Sequence, residues 1–280
     1  MGGERRRHLW LFAGHELLLA VRSRSTTIFA IVFAALSLGV GLSGYILTGG
    51  RGMQDFARTA VSLVQLVLLL VPLTALVVGV LALTPERGTS ELIFAQPVSR
   101  GTILIGRLLG LLQALGGAQL IGFGAAGLAL YAQAGQEGIG GFALLVAGSL
   151  ALTAIFLGIA ALVAAANVGR RARALALALV IWFGAVVLFD VAALGIASML
   201  RSGHASRLLV GAVLVNPVDA VRTGTLLGIE GDAAFGAASL AFFRIAGSRS
   251  TASLLLLVSV LLWIVVPPAL AVWRLRSADL

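Results

Sequence analysis

The chain has 280 residues, of which 60% are apolar and only 11% are charged, and its mean hydropathy is +1.07. A soluble domain carries about 25% charged residues, so this composition cannot cover a surface that faces water. The chain is instead predicted to be an all-α integral membrane protein, one transmembrane domain over 1–280 whose backbone polar groups are satisfied within each helix.

Residues that the sequence lacks exclude several kinds of active site. It contains no cysteine, and all twenty of its basic residues are arginine, so it has no lysine. Cysteine nucleophiles, thiolate metal sites and a phosphate-binding loop, which needs its lysine, are therefore excluded. Among three histidines and three methionines only Met199 and His204 are close in sequence, so no metal site is expected. We expect no catalytic residue and no cofactor bound by this chain.

The N-terminal segment, residues 4–24, does not form a span, because charges bracket and interrupt it. His8, His15 and Arg22 recur at intervals of seven residues, and leucines lie elsewhere on the helical circumference. This pattern predicts an interfacial helix over 1–26 that lies along the membrane surface. The alternative is a basic signal that only sets the orientation of the chain.

Six membrane-spanning helices are predicted to follow, at about 27–48, 60–84, 102–131, 141–166, 174–199 and 252–273. With the N-terminus in the cytoplasm, thirteen of the twenty arginines fall on the cytoplasmic side, as the positive-inside rule requires. Both termini are therefore predicted to be cytoplasmic, in the cell inner membrane, with 200–251 as an extracytoplasmic segment. The third span carries a G-x-x-x-G at Gly106 and Gly110, which weakly indicates a dimer face.

The interruption between the second and third spans, 85–101, is longer than a turn requires. Its polar residues flank an apolar centre, Leu92-Ile93-Phe94, and Pro97 disfavours helix in the residue before it. This arrangement predicts a short amphipathic helix on the cytoplasmic side, suited to place its apolar face in a groove on a partner.

The same segment carries a family resemblance. Its sequence, E-R-G-T-S-E-L-I-F-A-Q-P-V-S-R-G-T-I-L-I-G-R, closely resembles the corresponding segment of ABC-2-type transporter permeases, with Arg107 where many relatives have lysine. The resemblance implies a coupling helix seated in a cleft of a separate cytoplasmic ATPase subunit, which holds ATP and magnesium, and a second copy of the chain. The residues that match the family motif are Glu86, Gly88, Thr89, Glu91, Pro97, Ser99 and Arg100, and Leu92 and Phe94 supply the apolar face.

A second basic interruption separates the fourth and fifth spans and contains Arg170, Arg171 and Arg173. The resemblance suggests that it makes a second contact with the ATPase. Positive charge that only sets the topology explains the three arginines equally well.

The fifth span contains an acidic residue, Asp190. An acid at the centre of a span costs roughly 2.5–3.5 kcal/mol on insertion scales, so by default it is a functional hypothesis. Arg201, Arg222 or an arginine of a second copy is the expected partner. A paired or neutral acid that only fixes helix packing is the alternative.

A short helix is predicted within the segment 200–251. Asn216 is a good N-cap, Pro217 suits the first helical position, and Asp219 lies in the first turn. Asp219 and Arg222 are three residues apart, a spacing at which they can pair.

Three stretches narrow the resemblance within the family. W-F-G-x-V-V-L-F-D ending at Asp190, then L-V-N-P-V-D-A-V-R and G-I-E-G, are similar to the permeases of transporters that mature nitrous oxide reductase. This implies a part in assembling the copper–sulfur centres, with a periplasmic β-helix protein and a copper chaperone as partners. A partner contact is expected at Asn216, Pro217, Asp219 and Arg222.

Two alternative functions stay open at this point. One is an ABC-2 exporter of a drug, lipid or glycan. The other is an ATP-independent secondary transporter, which is disfavoured because the sequence shows no internal repeat and only one deeply placed acid. A membrane-embedded enzyme is disfavoured because no nucleophile or metal-ligating set lies within a span.

Overall fold

The regular elements that the structure, a computed structural model, describes are all helices, and it describes residues 2–48, 53–84, 98–134, 139–230 and 245–277. In chain order they are α1 (Gly2–Val21), α2 (Arg24–Thr48), α3 (Met53–Leu83), α4 (Arg100–Ala134), α5 (Ile139–Ala166), α6 (Arg171–Phe183), a π-helical turn (Gly184–Leu188), α7 (Phe189–Ser198), α8 (Ser202–Val215), α9 (Pro217–Glu230) and α10 (Arg249–Ser277).

Six stretches within the described residues are long and apolar enough to cross a membrane. They are Arg24–Leu42, Thr59–Leu83, Arg100–Leu128, Ile139–Ala166, Arg171–Ser198 and Arg249–Ser277. The all-helical class and the predicted number of spans are therefore confirmed. The cytoplasmic position of the termini stays a prediction.

Helix α5 lies at the centre of the bundle. It contacts α3, α4, α9 and α10, and its residues from Leu152 to Ala161 are buried on almost every side. A helix that is apolar around its whole circumference is expected in such a position. Close approach is possible because Gly158 lies directly against the ring of Pro268 in α10.

Helix α1 packs across the first turns of α4. Its buried face carries Ala13 and Ala20, while Trp10 and Leu11 are exposed. Gly106 and Gly110 lie beneath it, and a methyl group on either would collide with the α1 backbone. This corrects the weak indication of a dimer face, since the G-x-x-x-G accommodates α1 of the same chain. The helix itself is as predicted, and its place along a membrane surface stays a prediction.

The first part of the predicted extracytoplasmic segment folds back into the bundle. Helices α8 and α9 are joined at Asn216, whose backbone is extended, and we call residues 202–230 the re-entrant arm. The side-chain amide of Asn216 donates a hydrogen bond of 2.8 Å to the carbonyl of Ala185, halfway along the fifth span. By helical rise the turn therefore lies about 20 Å inward from Ser198.

Polar side chains satisfy the backbone where the re-entrant arm turns. The last carbonyls of α8 have no partner within that helix. Ser259 Oγ donates to the carbonyl of Leu214 at 2.6 Å, and Trp263 Nε1 donates to that of Val215 at 3.1 Å. Residues 200–251 were expected to form one extracytoplasmic segment, and within it the structure places 202–230 against other helices of the bundle.

Candidate functional site

Of the predicted coupling residues, the structure describes only Ser99 and Arg100, at the end of the segment. Glu86, Gly88, Thr89, Glu91, Leu92, Phe94 and Pro97 lie outside the described residues. Ser99 precedes α4 and caps it, since its Oγ accepts a hydrogen bond of 3.3 Å from the backbone N–H of Thr102. Arg100 Nη1 donates to the carbonyl of Leu275 at 2.9 Å, which ties the start of α4 to the end of α10. Their contact with an ATPase stays a prediction.

Arg107 joins three helices close to the coupling segment. Its Nε donates to Glu16 Oε2 of α1 at 2.7 Å, and its Nη2 donates to the carbonyl of Ala82 in α3 at 2.6 Å. The Glu16 side chain is 5% exposed and that of Arg107 is 18% exposed, so the ion pair is largely withdrawn from solvent. We call Arg107, Glu16 and Ala82 the Arg107 junction.

The ends of four helices meet beside the Arg107 junction. A cavity of about 40 Å³ is lined there by residues that include Leu83, Arg100, Arg107, Val168 and Leu275. Leu83 and Arg100, which lie on either side of the coupling segment in the sequence, therefore come together next to the connection between α5 and α6.

That connection presents the second basic group. Gly169 has a φ of 68°, which favours glycine and closes the turn after α5. The side chains of Arg170, Arg171 and Arg173 are exposed at the start of α6. Whether they bind an ATPase or only set the topology is not decided by this arrangement, so both interpretations stay predictions.

The intramembrane acid has one of its expected partners. Arg222 Nη1 donates a hydrogen bond of 3.2 Å to Asp190 Oδ2, and Arg222 Nη2 lies 3.1 Å from Asp219 Oδ1. One guanidinium in α9 thus serves two carboxylates, one of them in the fifth span. We call Asp190, Asp219, Arg222 and Asn216 the acid–arginine cluster.

The fifth span changes helix type just before Asp190. Phe189 N–H bonds to the carbonyl of Gly184, five residues back, so the turn Gly184–Leu188 is π-helical. Such turns are often found at functional sites, and they open the hydrogen-bond ladder to an outside side chain. Here the outside group is Asn216, which donates to Ala185.

Asn216 organises the turn as the sequence predicts. Its Oδ1 accepts a bond of 3.1 Å from the N–H of Val218, and its Nδ2 donates to Asp219 Oδ2 at 3.0 Å. The predicted cap of α9 and the pairing of Asp219 with Arg222 are confirmed.

The expected contact of this group with a periplasmic partner stays a prediction. Asn216, Pro217 and Asp219 are buried in their own chain, between α9 and the fifth span. Arg222 is partly exposed but is engaged by Asp190 and Asp219. The same polar pattern also satisfies an internal turn.

A buried polar group between α4 and α5 was not predicted from the sequence. Gln119 Nε2 donates to Thr153 Oγ1 at 2.6 Å, and Ser149 Oγ donates to Gln119 Oε1 at 2.8 Å. Each of these polar residues lies within an apolar span, which is the signal that could have found them. Each of the three side chains has a hydrogen-bond partner, and the bonds of Gln119 join α4 to α5.

A helical bundle with six candidate membrane spans defines an integral membrane protein. The profile of the ABC-2 family transporter proteins matches residues 10–280, and the chain belongs to this family. A Pseudomonas aeruginosa protein named "Probable ABC transporter permease protein NosY" is 35% identical over 240 residues, 83% of this chain and 86% of the relative. A protein of the same name from Stutzerimonas stutzeri is 33% identical over 239 residues, with the same shares covered.

Proposed function

We propose that this chain is the non-catalytic membrane subunit of an ABC transporter, driven through residues 85–100 by a separate ATPase that binds ATP and magnesium. The observation that carries the proposal is the anchoring of both ends of this segment. Arg107 binds the end of α3, and Arg100 binds the end of α10. A push on the segment would therefore reach α1, α3, α4 and α10 together.

The transporter works as a homodimer in this proposal. The stretch Arg171–Ser198 is the least buried of the six spans. Asp190, which lies within it, is 36% exposed, and its partner Arg222 in α9 is 31% exposed. Charged groups in contact with lipid tails are costly. A second copy over this face would cover them, and the exposed arginines from Arg170 to Arg173 would lie beside the ATPase.

The task we propose is maturation of the copper centres of nitrous oxide reductase. The support is the likeness to NosY proteins over most of the chain. Movement of the re-entrant arm would pass the ATP-driven change to a periplasmic β-helix partner, and a copper chaperone would act beyond it. Export of a drug, lipid or glycan is the alternative that the same experiment separates.

The test is purification of the detergent-solubilised chain from its native membrane, with identification of bound proteins and an ATPase assay. We expect an ATPase subunit that is lost when Leu92 and Phe94 are both changed to alanine, or when Glu91 is changed to alanine. The control pair is Leu120→Ala with Ile121→Ala, exposed apolar residues of α4 away from the coupling segment, which should keep the ATPase.

The outcomes discriminate between the three functions. A β-helix protein in the same complex supports reductase maturation, and an ATPase without one supports general export. A chain that purifies alone and works without ATP would contradict the proposal and leave the secondary transporter.

A further inference from the structure

A groove runs between α5, α9 and α10 at the end of the bundle opposite the Arg107 junction. Its volume is about 440 Å³, and its lining is mostly apolar or small, from Leu144, Gly148, Gly224, Leu256 and Leu257 among others. We call this space the α9 groove.

The length of the α9 groove matches one half of a membrane. Its lining on α10 runs from Arg249 to Val260, a stretch of twelve residues, which is about 16 Å of helix. The hydrocarbon core of a bilayer is about 30 Å thick, so one leaflet is about 15 Å deep. A single acyl chain that enters from the membrane edge would fill such a groove.

Two glycines on α9 determine the shape of the groove. A β-carbon on Gly224 would meet no described atom within 4 Å, so this position faces empty space. Gly228, one turn further on, lies so close to Leu144 that a methyl group there would overlap it. One glycine thus lets the helices approach, and the other leaves the space between them.

A cation stands at the outer end of the α9 groove. Arg249 begins α10, lines the groove, and its Nη2 donates a hydrogen bond of 3.3 Å to the carbonyl of Leu227. Arg249 is the first residue of α10, so its guanidinium lies at one end of the groove rather than halfway along it. A guanidinium is planar and positively charged, and it matches the geometry of a phosphate.

We propose that the α9 groove binds one anionic phospholipid, with an acyl chain between α5, α9 and α10 and the phosphate against Arg249. The lipid fills the space behind the re-entrant arm and supports it from the side away from the acid–arginine cluster. This site is independent of whether the chain couples to an ATPase.

The probe is phosphatidylglycerol with a photoreactive group in its acyl chain, added to the full chain in vesicles of phosphatidylethanolamine. We expect labelled peptides from all three groove helices. Gly224→Leu should reduce the labelling at least about fivefold, because the leucine fills the space that the acyl chain needs. Gly124→Leu is the matched control, since it also enters open space on an exposed helix but lies outside the groove, and labelling should be unchanged.

Two further variants make the test decisive. Ser253→Phe blocks the groove from an exposed position on α10 and decides the matter if Gly224→Leu does not fold. Arg249→Gln should lower the preference for phosphatidylglycerol over phosphatidylethanolamine about tenfold, as expected for loss of a charged hydrogen bond. Equal labelling of the filled and control variants, or a lipid preference unchanged by Arg249→Gln, would overturn the proposal.

Discussion

Replacement of Arg107 should lower the stability of the bundle, because this residue joins α4 to both α1 and α3. Removing one member of a buried ion pair typically costs about 3–5 kcal/mol, because the other charge is left without compensation. Arg107→Gln leaves Glu16 buried with no cation, so we expect a clear drop in the thermal midpoint of the detergent-purified chain. Arg107→Lys keeps the positive charge, so its thermal midpoint should fall much less.

Glu16→Gln is the second variant in this experiment. Arg107 is more exposed than Glu16 and keeps the carbonyl of Ala82, so this change should cost less than Arg107→Gln. A cycle of the two single variants and the double variant isolates the pair energy. Equal midpoints for Arg107→Gln and Arg107→Lys would show that the junction contributes only packing.

Asp190 and Arg222 should respond differently to neutralisation. Asp190→Asn leaves Arg222 beside Asp219, so we expect assembly to be kept while ATP-driven transport falls. Arg222→Gln leaves two carboxylates without their cation in a low-dielectric setting and should also lower the thermal midpoint. Gel filtration, thermal unfolding and transport in vesicles measure the three properties. Unchanged transport in Asp190→Asn would restrict the residue to a packing role.

The depth of the re-entrant arm is a property of the element and can be measured with thiols. The sequence has no cysteine, so one introduced cysteine is the only reactive thiol. Met199 and Val215 are both exposed on the protein surface, but Val215 lies at the inner turn of the arm. We expect Met199→Cys to react with a membrane-impermeant maleimide and Val215→Cys to be protected from both sides of the membrane.

The control for this experiment is denaturation. In a denaturing detergent both variants should react fully, which excludes a slow thiol as the reason for protection. Equal reaction rates in intact membranes would show that the arm lies outside the bilayer and would restore the extracytoplasmic assignment.

At the scale of the whole molecule, the face around Asp190 is where a second copy should lie. Val191 is 65% exposed on α7, and Ile121 is 72% exposed on α4. Disulfides form only where two Cα atoms approach within about 7 Å. Mild oxidation of Val191→Cys or the neighbouring Leu194→Cys should give a covalent dimer, and Ile121→Cys should not. The opposite pattern would place the interface on α4.

The sequence predicts those features that depend on local chemistry. Six apolar runs give six spans, and Asn216-Pro217 marks the start of α9, because capping and hydropathy act over a few residues. Arg222 was one of three expected partners of Asp190, beside Arg201 and an arginine of a second copy, because an acid within a span requires a cation.

Features that depend on distant pairing could not be read in this way. Arg107 and Glu16 are 91 residues apart, and nothing local links them. The re-entrant arm escaped detection because hydropathy measures how apolar a helix is and not how deeply it lies. The hydrogen bonds of Gln119 could not be predicted either, because its partners come from another span.

The π-helical turn Gly184–Leu188 shows how the fifth span tolerates a surplus residue. A wide turn holds one residue more than an α-helical turn, and the helices on either side keep their facing. Deleting Val186 should therefore leave Asp190 directed at Arg222, whereas deleting Ala178 would rotate everything after it by about 100°. What the first deletion would remove is the free carbonyl that receives Asn216. The span would then be a regular α-helix, and the turn of the re-entrant arm would lose the carbonyl to which Asn216 is hydrogen-bonded.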